Sequence, residues 1–203
     1  GITAYSRDGP AAARRIWRLG LARATAIDDS AGQAAFAGNI GATFQAEAEL
    51  DSAAAWLERA RSLAAALGDA RVEANAIGTL AGVAEDRGDW ARARELYAQA
   101  LPLRQRIGDS RGVAADYNNL GLLAQRLGDL DEARRQFEAA LALNRREGRE
   151  EIAATNLVNL AGLASLTGDF GTADAQYRDA LAIWEKHEAW ADAAPAWHGL
   201  GQV

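Results

Sequence analysis

Few residues of this chain could support catalysis or metal binding. The two histidines, His187 and His198, fall on different predicted helices and no cysteine is present, so disulfides and thiolate sites are excluded and a structural zinc site is not expected. Acidic pairs such as Glu85-Asp86, Asp131-Glu132 and Glu150-Glu151 are interpreted as solvated helix faces or helix starts, because a general acid or base needs a walled pocket. A glycine-rich phosphate loop with Lys and Ser or Thr is missing from the sequence. We therefore expect no enzyme, no cofactor and no metal.

Hydrogen-bonding side chains do recur at a regular interval. Asn39, Asn119 and Asn159 each stand directly before an Ile-Gly, Leu-Gly or Leu-Ala pair, and Thr79 takes the remaining place in the series. An Asn side chain offers two donors and an acceptor, so a row of them could bind the backbone of an extended peptide. The alternative is that they bond neighbouring carbonyls or water, and the sequence leaves both open.

The spacing of these residues follows a repeat in the whole chain. Gly88-Asp89, Gly128-Asp129 and Gly168-Asp169 are 40 residues apart, and Gly68, Gly108 and Gly148 keep the same step. A fixed period of this length indicates one supersecondary unit used repeatedly. Apolar residues at steps of three and four between these markers predict helices. Gly128 would end one helix in the left-handed conformation, and Asp129 would cap the next.

Packing explains the small residues in each predicted hairpin. Within residues 110–147, Gly121 on the first helix and Ala133 on the second would meet where the helices approach most closely. Phe137 would fill the space beside them, and Ala140 would face the next hairpin. A larger side chain at such a contact overpacks the core.

These residues carry a family resemblance. Tyr117, Leu120-Gly121, Ala133-x3-Phe137 and Ala140 resemble the tetratricopeptide pattern, and Trp197-x2-Leu200-Gly201 is a closer copy of its opening. The 40-residue length is similar to that of kinesin light chains, spindle-orientation adaptors and bacterial signalling regulators. The pattern departs at Ala48-Glu49 and at Glu188, where Gly-Asp and Gly are expected. The resemblance implies an all-α, right-handed solenoid of stacked antiparallel helix pairs.

The predicted organisation is a single solenoid over residues 1–203. It comprises a lone second helix at 10–28, hairpins at 32–67, 70–107, 110–147 and 150–187, and a truncated first helix at 191–203. Because the array would begin and end within a repeat and has no initiator Met, we expect a fragment of a longer protein. Exposed terminal helices would then favour a homodimer.

In such a solenoid, the first helix of each pair lines the concave groove. The residues on these helices that packing does not use are the predicted peptide-binding residues: Asn39, Thr79, Asn118, Asn119, Leu122, Gln125, Arg126, Thr155 and Asn159. Gln45, Asn75, Glu85, Gly162, His198 and Gln202 take comparable places. In the long-repeat relatives the matching Asn positions line the peptide groove. The clamp that grips a C-terminal carboxylate in other relatives is not expected, because its lysine is missing and Gly78, Asn118 and Val158 occupy its places.

Composition limits the partners and the setting. The net charge of −6 disfavours nucleic acid, which needs a basic stripe, and no apolar run is long enough for a membrane span. We expect a cytoplasmic, bacterial scaffold that binds a protein or peptide within a larger regulatory or signalling protein. The alternative is a structural module for self-assembly without a peptide ligand.

Overall fold

The computed structural model describes the backbone of residues 2–202 and the side chains of residues 9–202. Its described part is all helical, with no strand, as the sequence predicts. The helices are α1 (Ile2–Ala26), α2 (Ser30–Ala46), α3 (Leu50–Leu67), α4 (Ala70–Asp86), α5 (Trp90–Arg106), α6 (Ser110–Arg126), α7 (Leu130–Arg146), α8 (Glu150–Leu166), α9 (Phe170–Lys186) and α10 (Ala194–Leu200).

The two ends differ from the predicted helix bounds. Helical backbone begins at Ile2 rather than at Pro10, but Gly9 interrupts it with φ 78° and ψ 178°, so the long part of α1 still starts at the proline. At the other end, a 3₁₀ turn at Trp190–Asp192 precedes a seven-residue α10. The predicted helix over 191–203 is therefore shorter than expected, and its last residue lies outside the described part.

The predicted stop-and-start signal forms as expected. Gly128 takes φ 82°, which a residue with a Cβ adopts only with strain, and Asp129 Oδ1 accepts a hydrogen bond from the Glu132 backbone N–H at 3.1 Å. This carboxylate satisfies one of the unpaired donors at the helix start. The same cap operates at the starts of α2, α4, α5 and α9, through Asp29, Asp69, Asp89 and Asp169.

The same turn also forms where the sequence lacks glycine. Ala48 and Glu188 have φ values of 58° and 55°, although both positions depart from the expected pattern. After Ala48, the Glu49 N–H donates to the Phe44 carbonyl at 2.9 Å, which is the bond that closes a helix C-terminus. The packing of the adjoining helices therefore imposes a left-handed residue even where its side chain disfavours it.

The chain forms two compact units, Gly1–Asp109 and Ser110–Val203. Unit 1 contains the hairpins α2/α3 and α4/α5, and unit 2 contains α6/α7 and α8/α9. Within each unit the second helix of one hairpin packs on the first helix of the next, as α3 does on α4 and α7 on α8. We call α2, α4, α6 and α8 the first helices. That all of residues 1–203 form one continuous array stays a prediction.

The core of hairpin α6/α7 matches the predicted contact. Ala133, Phe137 and Ala140 are fully buried, and a Cβ added at Gly121 would lie 2.6 Å from Cδ1 and Cε1 of Phe137. The absence of a side chain at Gly121 is what lets the ring reach the backbone of the neighbouring helix. The close approach of these two helices thus fixes the orientation of α6, and with it the direction of the α6 side chains that do not face α7.

Candidate functional site

Two cavities lie between first helices, one in each unit, at positions that differ by two repeats. The unit 2 cavity, about 190 Å³, is lined by residues of α6 and α8 together with Asn144 of α7. The unit 1 cavity, about 200 Å³, is lined by residues of α2 and α4 together with Leu57 of α3. Asn39 and Asn75 line the unit 1 cavity where Asn119 and Thr155 line the unit 2 cavity. The repeat thus brings chemically similar groups to the same place twice.

The unit 1 cavity has small walls and a polar edge. Ala35, Gly38, Ala42 and Ala76 leave its space open, and Asn39 and Asn75 are exposed at its margin. Thr79 also lines it, but its hydroxyl donates to the Asn75 carbonyl at 2.9 Å. Thr79 therefore retains acceptor capacity toward the cavity after donating within its own helix.

The unit 2 cavity is more polar, because a chain of hydrogen bonds forms its wall. Arg149 Nε donates to Asn144 Oδ1 at 2.8 Å, and Asn144 Nδ2 donates to Asn156 Oδ1 at 2.8 Å. Asn156 Nδ2 then donates to Asn118 Oδ1 at 3.1 Å. We call these four residues the amide relay. Asn144 and Asn156 are only 1% and 2% exposed, and buried amides of this kind require partners.

The relay is anchored at its cationic end and joined at its outer end. Arg149 also donates to the side-chain oxygen and the carbonyl of Ser110, at 3.2 and 3.3 Å. Asn159 Nδ2 donates to Asn118 Oδ1 at 2.8 Å. Asn159, predicted from sequence as a peptide contact, therefore binds another predicted contact across the helix pair. The Asn159 Nδ2 group thus binds a side chain of the neighbouring first helix rather than a carbonyl of its own helix.

Two asparagines in this wall were not predicted from the sequence. Asn144 and Asn156 are absent from the predicted peptide-binding residues, yet both contribute to the cavity wall. Ala76 occupies the place equivalent to Asn156 two repeats earlier, so the exchange of alanine for asparagine at a core position was a usable signal. The partners themselves could not be read from sequence, because they come from three helices.

The remaining predicted contacts have different surroundings. Asn118 and Asn119 line the unit 2 cavity with Thr155, whose hydroxyl donates to the Glu151 carbonyl at 3.4 Å. Leu122 is partly buried and packs against the unit 2 core, so packing uses it more than the sequence predicts. Gln125 is half-buried and Arg126 exposed at the end of α6. Whether any of these residues touches a ligand stays a prediction.

Some of the comparable positions are occupied by contacts within unit 1. Gln45 Nε2 donates to Asp86 Oδ2 at 2.9 Å, which links the ends of α2 and α4. Glu85 Oε1 accepts a hydrogen bond from the Tyr97 hydroxyl at 2.6 Å. These two side chains therefore link helices within unit 1 and are engaged there instead of facing a ligand.

Charged groups meet at one corner of unit 2. Glu150 Oε2 lies 2.7 Å from Lys186 Nζ and 2.7 Å from His187 Nε2. The hydrogen bond from Lys186, followed by that from His187, lowers the pKa of Glu150 to about 2. Among the described residues, no group of three or more His, Asp or Glu side chains is arranged to hold a metal ion. Over the same residues, no helix has the length and apolar character to cross a membrane.

A profile of the tetratricopeptide repeat matches residues 72–146 and 113–186, which together make up more than half of the chain. The chain belongs to the tetratricopeptide repeat family. Membership supports a general role as a protein-interaction module, and repeats of this kind are typically non-catalytic scaffolds. Comparison with curated protein sequences finds no match.

Solved structures with a similar fold fall in the classes that the sequence resembles. BtubC (BKLC) from P. vanneervenii has a TM-score of 0.82 and 26% identity, covering 91% of this chain and 77% of that chain. A putative kinesin light chain from P. anserina has a TM-score of 0.74 and 17% identity, covering 92% of both chains. A Rap protein complexed with Competence and Sporulation Factor has a TM-score of 0.73 and 18% identity, covering 91% of this chain and 52% of that one. The latter two likenesses show the fold alone.

Proposed function

We propose that this chain binds an extended polypeptide segment on the first-helix face of its units. The observation that carries the proposal is the pair of equivalent cavities, each lined by an asparagine at the same repeat position, Asn39 in unit 1 and Asn119 in unit 2. In support, a neighbour of the same fold was solved with Competence and Sporulation Factor bound. A second asparagine at the same repeat position suits a ligand that is itself periodic.

An extended backbone fits these surfaces better than a helix or a small rigid molecule does. A helical ligand satisfies its own N–H and C=O groups, whereas an extended segment presents them to its surroundings. Asn39 and Asn75 in unit 1, and Asn119 in unit 2, offer donors and acceptors that match both kinds of group. The cavities of about 190 and 200 Å³ would hold side chains of the bound peptide.

The test is selection of binders from a random peptide library, followed by affinity measurement through fluorescence anisotropy. We expect Asn39→Ala combined with Asn119→Ala to weaken a selected peptide at least tenfold, or ~1.4 kcal/mol, with unchanged helicity. The matched control is Gln99→Ala, which also removes an exposed amide but from the second helix α5. Equal affinity of the double variant and the control would contradict the proposal, as would a library that yields no binder.

The wider setting is part of the same proposal. We propose that the chain belongs to a bacterial regulatory protein of the cytoplasm, and its alanine- and arginine-rich composition with a single lysine supports the bacterial source. The full coding sequence of the natural protein tests this, because a regulatory or signalling domain should be joined to the array. A coding sequence without such a domain would contradict it.

Self-association is a second candidate function, favoured by the exposed aromatic residues near α10. Trp190 and Trp197 are 55% and 58% exposed, and large apolar side chains of this kind are common at protein interfaces. Sedimentation velocity should then give a dimer whose stability hardly changes with salt, and Trp197→Ser should shift it to monomer. A monomer at all accessible concentrations would exclude this function.

A further inference from the structure

We infer that the unit 2 cavity selects a carboxylate of the bound peptide, and that Asn118 is the group that recognises it. The inference rests on the proposed function and adds a substrate class to it. It comes from the direction of the hydrogen bonds in the amide relay. The chemistry of the partners fixes which atom of each Asn side chain is oxygen and which is nitrogen.

The direction is fixed by the arginine at the start of the relay. A guanidinium has five N–H donors and no acceptor, so the Asn144 atom 2.8 Å from Arg149 Nε must be oxygen. Asn144 therefore turns its NH₂ group to Asn156, whose facing atom must be oxygen in turn. The same logic makes the Asn118 atom that faces Asn156 its oxygen. An amide flip anywhere in the series would oppose two donors or two acceptors.

The outer end of the relay consequently presents donors. Asn118 Oδ1 already accepts hydrogen bonds from Asn156 and Asn159, at 3.1 and 2.8 Å, which occupies both of its lone pairs. What Asn118 has left for a ligand is its NH₂ group, polarised through a chain that begins at a cation. Arg111 lines the same cavity and adds positive charge. A ligand here must therefore supply an acceptor.

Among acceptors, a carboxylate suits this environment better than a neutral carbonyl. Hydrogen bonds to an ionised acceptor are roughly twice as strong as those between neutral groups. Arg111 is exposed at the cavity and can pair with the negative charge. A volume of about 190 Å³ is several times the ~30 Å³ that one water molecule occupies in the liquid, so a carboxylate side chain fits.

Unit 1 has none of the four residues of the amide relay at the equivalent places. The places equivalent to Asn118, Asn144 and Asn156 hold Gly38, Ala64 and Ala76. Asp69, at the place equivalent to Arg149, caps α4 by accepting from the Arg71 and Val72 N–H groups. Arg149 leaves α8 without a side-chain cap, so unit 2 gives up a common stabilising feature where it gains the relay. The carboxylate preference should therefore belong to unit 2 alone.

The experiment uses the whole chain and three small probes observed by ¹⁵N NMR. N-acetyl-glutamate methylamide carries only a side-chain carboxylate, N-acetyl-glutamine methylamide carries none, and N-acetyl-glutamine with a free terminus carries only a C-terminal one. We expect the first to shift the Asn118 side-chain NH₂ signals at millimolar concentration, with at least fivefold higher affinity than the second. Tighter binding of the third would assign the site to a chain terminus instead, and equal binding of the first two would overturn the inference.

The decisive variant is Asn118→Asp. Its carboxylate can still accept both amide N–H groups, so the relay stays intact, but it has no donor left and should lower affinity for the glutamate probe at least tenfold. Gln99→Glu is the matched control, since it also replaces an exposed amide by a carboxylate but on α5, away from both cavities, and should leave binding unchanged. If Asn118→Asp does not fold, Arg111→Gln should still reduce affinity about threefold. Unchanged affinity for the glutamate probe in either cavity variant would refute the assignment.

The two proposals fail in distinguishable ways. Library peptides that bind on the first-helix face without enriched Asp or Glu would leave the proposed function standing and remove this inference. An Asn118 response to the glutamate probe without any library binder would support the carboxylate site but not the extended-peptide function.

Discussion

Two glycines on first helices of unit 2 lie in opposite surroundings, and alanine at each separates overpacking from helix preference. A Cβ at Gly121 would lie 2.6 Å from two carbons of the Phe137 ring and 3.1 Å from a third. Phe137 is fully buried, so its ring has no open space to move into. A Cβ at Gly162 would have only the Tyr177 hydroxyl within 4 Å, at an ordinary 3.8 Å.

The expected free energies follow from these distances. In a helix interior, alanine is favoured over glycine by roughly 0.5–1 kcal/mol, so Gly162→Ala should stabilise the chain by about that amount. At Gly121 the same gain is opposed by overpacking, which costs about 1–3 kcal/mol. The helix term cancels between the two variants, so Gly121→Ala should be less stable than Gly162→Ala by ~1–3 kcal/mol.

Urea denaturation followed by circular dichroism measures this difference directly. For a chain of this length, each 1 kcal/mol corresponds to a change in Tm of about 2–4 °C, so calorimetry should separate the two variants as well. Unchanged helicity at low urea serves as the control for both. Equal stability of the two variants would show that the Phe137 ring does not press on the α6 backbone, and would refute the packing described for this hairpin.

Three further perturbations test the turn, the relay and the ion pairs by urea denaturation. Ala48→Gly should stabilise the chain by ~0.5–1 kcal/mol. The left-handed conformation costs alanine about 1–2 kcal/mol, whereas glycine loses roughly 0.5–1 kcal/mol in backbone entropy. An unchanged free energy of unfolding would contradict the strain assigned to Ala48. Asn144→Leu should destabilise by about 1–3 kcal/mol, since Arg149 loses its buried acceptor, whereas Asn75→Leu at the unit 1 margin should stay within about 0.5 kcal/mol. The contribution of Glu150 is complete above its ordinary pKa of 4.5 and is lost as pH falls through its lowered pKa of about 2. Glu150→Gln should therefore be less stable than the parent above pH 4.5 and equal to it at the acid end, with a smaller gap at about 1 M salt; a gap independent of pH would argue against the ion pair.

Several features of the fold were predictable because they depend on local chemistry. The Gly-Asp pairs mark helix boundaries, since a left-handed residue and a capping carboxylate act within a few residues of each other. The facing of Gly121, Ala133 and Phe137 followed from helical periodicity and side-chain size alone. The amide positions 39 and 119 were likewise predictable, because the repeat carries equivalent residues to equivalent places.

Other features depended on contacts between helices distant in sequence. The left-handed turns at Ala48 and Glu188 run against the preference of their own residues, so only the packing on either side could reveal them. The partner of Asn159 is Asn118 on the neighbouring first helix, whereas its local sequence is compatible with a solvent-facing side chain.

The repeat, the all-helical class and the helix face that carries the recurring asparagines were thus determined by the order of the residues, since periodicity and size act along a single helix. The hydrogen bonds between side chains on that face were decided by the tertiary structure. Asn144 lies near the end of α7, Asn118 in the middle of α6, and Arg149 and Asn156 at the start and in the middle of α8. A hydrogen-bond direction exists only once those three elements meet, because each amide is oriented by the partner that folding places beside it.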